Sequence, residues 1–144
     1  MKQPEYTWDE EQGIASCTLY YNNQEFIGMA ICHPDDRDMQ SKLTGQNIAE
    51  FRALIQAWRY KRDYELRPQL RALNQLYYSM NRSKYFDPTS YEAKMLYRQI
   101  NNIKNELEAV KIEIKVLTDD LKNYINIKEI YHNTVRERRE AKDN

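Results

Sequence analysis

The densest concentration of chemically capable side chains is His33-Pro34-Asp35-Asp36-Arg37-Asp38, one imidazole, three carboxylates and a guanidinium in six consecutive residues. A metal centre needs ligands converging from separated elements, and the only other histidine, His132, stands far along the chain. Cys17 and Cys32 occupy alternating strand positions with no CxxC, so they read as small buried residues of a cytoplasmic protein. No metal and no cofactor is expected. The plain reading of residues 33–38 is a strand-to-helix junction, with Asp35 and Asp36 facing the positive end of a helix dipole. The functional reading is an anion-binding corner built on His33 and Arg37.

A second concentration runs Arg52, Trp58, Arg59, Tyr60, Lys61, Arg62, Tyr64, Arg67 and Arg71. Guanidinium forks and aromatic faces at helical spacing are the groups that hold phosphates and stack bases. The competing reading is a solvated helix face with Trp58 in the core and the charge diluted by Asp63 and Glu65. A third group, Tyr77, Tyr78, Tyr85, Tyr91 and Tyr97, flanks a turn. It reads either as an aromatic recognition surface or as a staple closing a hairpin. No P-loop, GxGxxG, GxSxG or HExxH is present, and no Cys/His pair sits where it would make a nucleophile, so an enzyme is not expected.

The elements that must position these groups follow from periodicity. Ile14 to Tyr21 and Glu25 to Ile31 are rich in β-branched and aromatic residues around the turn Asn22-Asn23-Gln24, a β-hairpin. Tyr6 to Trp8 adds an edge strand, and Ala15, Cys17 and Leu19 share a face with Phe26, Gly28, Ala30 and Cys32. A short helix is expected from Pro34, a C-cap at Gly45, and a second helix from about Gln46. Apolar or stem-burying positions then fall at 48, 51, 55, 58 and 62 and at 66, 70, 73, 77 and 80, with steps of four between the two sets. That phase slip coincides with Pro68 and predicts a kink near Tyr64. Asp87 as N-cap with Pro88 at the first helical position restarts a helix that runs back along the first.

That last helix carries Leu96, Ile100, Ile103, Leu107, Val110, Ile114, Leu117, Leu121, Tyr124, Lys128, Tyr131 and Val135 at alternating steps of four and three, a heptad seam. Leu66 to Met80 is expected to lie along Leu96 to Val110, leaving the portion from about Leu117 for a second chain. The predicted fold class is α+β: a small N-terminal antiparallel β-meander with a short helix (residues 1–45) followed by a long antiparallel helical hairpin and coiled coil (46–144), one cooperative unit. A homo-oligomer, dimer or higher, through the C-terminal helix is expected.

Twenty-two basic and 22 acidic residues give no net charge, which argues against broad adhesion to nucleic acid or anionic membrane. The balance is uneven: residues 1–33 carry net −4, residues 34–86 net +4, and the rest none. The N-terminus lacks an apolar signal core and no stretch of 18 apolar residues occurs, so the bacterial cytoplasm is expected and no membrane.

The run Cys32 to Asp38 followed by Ser41 to Ala53, with the patterns HPDDxD and SxxTGxxIAxxRA after a β-hairpin, resembles small accessory proteins of phages and prophages of Gram-positive bacteria. The match covers roughly the first 55 residues. Such proteins include anti-defence factors, and the architecture is similar to that of the Thoeris anti-defence nucleotide sponges, β-plus-helix oligomers that trap cyclic ADP-ribose-like signals. The resemblance implies a non-enzymatic protein that sequesters a cyclic-nucleotide immune signal or occludes a host defence protein. For a nucleotide, the expected ligand-binding residues are Arg37, Arg52 and Arg59 at the phosphates, with His33 and Trp58 near the base. The alternatives are nucleic-acid binding or CRISPR-nuclease inhibition through the Arg59 to Arg71 face, and a purely structural coiled-coil phage component.

Overall fold

The computed structural model describes residues 3–32 and 42–143. The helix expected from Pro34 lies outside the described residues. Strands β1 (Glu5–Asp9), β2 (Ile14–Tyr21) and β3 (Gln24–Ile31) form one antiparallel sheet in that order. Asn22 and Asn23 link β2 to β3 with φ of 52° and 62°, the two-residue type I′ turn whose twist matches the flanking strands. Helix α1 (Lys42–Tyr60), a π-helical segment (Lys61–Leu66), α2 (Arg67–Asn81) and α3 (Tyr91–Asp143) complete an α+β architecture.

The chain forms two compact units, Met1–Ala57 with Lys115–Asn144, and Trp58–Ile114. The division falls inside helices and not at Gly45, because most of α1 belongs with the sheet.

In the first unit, Ala15 pairs with Ala30, Cys17 with Gly28 and Leu19 with Phe26, so the inner sheet face is the expected one. Cys17, Ala49 and Ala53 form its fully buried centre, with Leu19 against it. The side chains are small because the helix backbone lies directly on the strand: a Cβ on Gly28 would collide with the Ala49 carbonyl and sit 2.5 Å from the Ala53 amide nitrogen. Gly45 is not a C-cap. It lies within α1, where a Cβ would stand 2.9 Å from that of Ala15 and 3.4 Å from the Trp8 ring. Close approach to the sheet, not chain reversal, is what this glycine serves. The hydroxyl of Tyr6 hydrogen-bonds Glu50 and Cys17, and burial first, then the Glu50 charge, raises both the Tyr6 phenol and the Cys17 thiol above their ordinary pKa values.

The distal part of α3 belongs to this unit as well. Tyr124 packs its ring on Phe51 at 6.1 Å and accepts a hydrogen bond from the Asn47 amide at 3.1 Å. Part of the seam assigned to a second chain is therefore covered by this chain's own α1.

In the second unit, Leu66, Val110 and Ile114 form a buried cluster flanked by Trp58, Ile103 and Leu107. Tyr77 packs edge-on against Phe86 at 6.0 Å and contacts Tyr97 at 6.3 Å, so α2 and this part of α3 run antiparallel, as the periodicity predicts. The phase slip takes the form of a π segment. The Arg67 amide donates to the Arg62 carbonyl five residues back, and the α-helix resumes with Pro68 in its first turn, where the missing N–H costs little. The restart differs from expectation. Asp87 accepts from the Thr89 amide at 2.9 Å and the Thr89 hydroxyl at 2.7 Å, holding a turn, and Ser90 caps α3 by accepting from the Ala93 amide at 3.2 Å. Three residues of turn precede the helix because Asp87 finds its donors locally.

The heptad assignment also drifts. Tyr131, expected on the seam, is 62% exposed, while its neighbour His132 is half-buried. A straight α-helix gains about 20° per heptad over a 3.5-residue repeat, so five heptads from Leu96 turn position 131 outward. The drift reveals a second apolar series on α3, with Ile112, Val116, Ile127, Ile130 and Tyr131 all exposed. At 100° per residue these positions cluster about a third of a turn from the buried seam.

Candidate functional site

His33 and Arg37 lie outside the described residues. Arg52 is exposed at its tip, and its Nη1 donates to the Met29 carbonyl at 2.6 Å. One turn on, Gln56 Nε2 donates to the Ile27 carbonyl at 2.9 Å. Both acceptors are on the β3 side away from β2, so the two side chains cap the sheet's free edge. Trp58 flanks the second unit's buried cluster, with Lys61 Nζ 5.5 Å from its ring centroid. Arg59 is exposed in the same unit. The structure thus engages Arg52 in the sheet of one unit and Trp58 in the core of the other.

The basic face of the π segment is internally neutralised. Arg62 binds Asp63 through Nε at 2.8 Å and Nη2 at 3.1 Å, and Arg67 Nη1 reaches the same carboxylate at 2.7 Å. The Arg62 hydrogen bond, with the charges of Arg62, Arg67 and Arg59 behind it, holds the Asp63 carboxyl below its usual range. Two guanidinium groups of the expected phosphate-binding run are thereby committed to one aspartate. Among the described residues, no group of three or more His, Cys, Asp or Glu side chains is arranged to hold a metal ion.

The hairpin end of the second unit offers a different arrangement. Tyr77, Phe86 and Tyr97 form the expected staple, while Tyr85 is 85% and Tyr91 74% exposed, with Tyr78 also open to solvent. Arg82 lies over the Tyr78 ring at 5.4 Å and Lys84 over the Tyr85 ring at 5.5 Å, which orients cations and aromatics on one surface. Beside the staple is an open cleft of about 480 Å³ between Tyr77, Pro88 and the α3 residues Lys94, Tyr97, Arg98 and Asn101. The tyrosines are visible in the sequence as a group. Lys94, Arg98 and Asn101 are not, although their spacing from Tyr97 at three and four residues places all four on one helical face.

No family model matches the chain, and neither a curated protein nor a solved structure matches it. The fold and surface define an α+β protein whose helical hairpin ends in an aromatic and cationic patch.

Proposed function

We propose that this chain is a non-enzymatic accessory protein that acts by binding a host defence protein in the bacterial cytoplasm and occluding it. The observation that carries the proposal is the exposure of Tyr78, Tyr85, Tyr91 and Tyr97 on a stapled helical hairpin. Tyrosine and arginine dominate protein interfaces because they bury large amphipathic area at small entropic cost, and a rigid support lowers that cost further. Anti-defence action rests on the resemblance of residues 32–53 to phage accessory proteins. Occlusion is preferred to sequestering a cyclic nucleotide because Arg52 and Trp58, two of the groups a nucleotide would require, already have partners within the fold. No helix among the described residues is long and apolar enough to cross a membrane.

The test is co-purification from cells that carry the defence system. Wild-type chain should retain one host protein stoichiometrically, and Tyr85→Ala with Tyr91→Ala should lose both that protein and the protection of an infecting phage. Retention of a cyclic nucleotide by native mass spectrometry with no protein partner, or capture indifferent to the two tyrosines, would overturn the reading.

A second reading concerns self-association. The exposed series Val116, Ile127, Ile130 and Tyr131 supports a homo-oligomer through α3, by a face other than the heptad seam.

A further inference from the structure

The cleft beside the tyrosine staple has walls of three kinds. Tyr77, Pro88 and Tyr97 are apolar or aromatic, Lys94 and Arg98 are cationic, and Asn101 brings a side-chain amide. At about 480 Å³ it holds a few side chains, and it is open along its length, as a groove for a chain segment must be. Lys94 and Arg98 bracket Tyr97 on successive turns of α3, and neither has a carboxylate within ion-pair distance among the described residues. The only side-chain contact of Arg98 is a weak one to the Met95 sulfur at 4.0 Å. Asp87 is already spent on the amide and hydroxyl of Thr89. Residues 77–102 carry four bases and two acids, so the hairpin end is locally positive within a chain of zero net charge.

We infer that this cleft receives an acidic segment of the protein partner, an aliphatic or aromatic side chain entering between Tyr77, Pro88 and Tyr97 while a neighbouring carboxylate is held by Lys94 and Arg98. The inference rests on the occlusion reading and gives its partner a chemistry. An unpaired lysine and arginine one turn apart complement a carboxylate, and their attraction steers encounter as well as fixing register. Asn101, one turn beyond, supplies the donor and acceptor that pair with an extended peptide group. A nucleic acid is a poorer fit. It needs a continuous track of free cations, and on the π segment Arg62 and Arg67 are tied to Asp63.

Binding is measured by fluorescence polarisation on the full chain with three labelled probes: a peptide of alternating glutamate and leucine, its glutamine-for-glutamate counterpart, and an oligothymidylate. The glutamate peptide should bind saturably, about tenfold or more tighter than the glutamine peptide, and weaken as salt rises. Lys94→Glu with Arg98→Glu should abolish binding, and Lys94→Gln with Arg98→Gln should give an intermediate affinity at unchanged helical circular dichroism. Equal affinity for the two peptides, absence of binding, or indifference to both double variants would overturn the inference, as would tighter oligothymidylate binding through the same residues. If host-protein capture still depends on Tyr85 and Tyr91 while the glutamate peptide fails to bind, occlusion stands and the acidic segment falls. If capture fails as well, both fall.

Discussion

The side-chain amide of Asn47 donates to the hydroxyl of Tyr124 at 3.1 Å, joining residues 77 positions apart. That bond and the Phe51 ring are what register α3 against α1 in the first unit. Tyr124→Phe removes the hydroxyl and leaves the ring, so it should cost about 1 kcal/mol of stability in urea unfolding. Tyr124→Ala should cost about 2–4 kcal/mol because ring packing goes too. Equal losses for the two variants would show that the ring contributes nothing.

Gly28 tests how close the helix lies to the sheet. Gly28→Ala places a methyl group against the backbone of Ala49 and Ala53, which no rotamer change can relieve. Overpacking of this kind costs about 1–3 kcal/mol and more where backbone must move. The expected result is a lower Tm with chemical-shift changes confined to residues of β2, β3 and α1. A neutral substitution would mean that α1 moves away from the sheet freely.

The Asp63 carboxyl is held below its ordinary value of 3.8 by Arg62 first and by the neighbouring charges after it. A lowered folded pKa means that the contribution is present above the unfolded value and is lost as pH falls through the folded one. Asp63→Asn should therefore lower the Tm at neutral pH, and the gap to wild type should close in acid below the usual carboxylate range. A gap independent of pH would assign the effect to geometry and not to charge.

Self-association should depend on the exposed α3 series. Ile127→Asp with Ile130→Asp alters two exposed positions and leaves Leu117 and Tyr124 untouched. Sedimentation should change from an oligomer to a monomer with helicity preserved. Wild-type chain that already sediments as a monomer would end the proposal.

The sheet was legible almost residue by residue, because alternation with period two and an Asn-Asn turn leave little freedom: Ala15 faces Ala30 and Cys17 faces Gly28 as the pattern requires. The α2 face at 66, 70, 73, 77 and 80 was legible for the same reason, and each of those positions is buried or half-buried. Gly45 was misread because glycine serves chain reversal and close packing equally, and only the neighbouring strand distinguishes them. The cap at Ser90 was misplaced because Asp87 satisfies the same local rules. The open series on α3 was hidden by a heptad assignment that assumes a perfect 3.5-residue repeat. As for the site, its tyrosines stand out by composition, whereas Lys94, Arg98 and Asn101 look like any solvated helix face until Tyr77 and Pro88 are set beside them.

The π segment between Tyr60 and Arg67 amounts to one residue more than an α-helix of the same rise would need. Heredity can remove it with a single codon. Such a deletion would keep every helix former and every charge but one, yet it would turn all that follows by about 100° until the next turn of chain. Tyr77 would then leave Tyr97, and the aromatic end would lose its support without any of its own residues changing. Drift in this stretch of the gene should therefore favour substitution over loss or gain of codons, even where the encoded side chains are fully exposed.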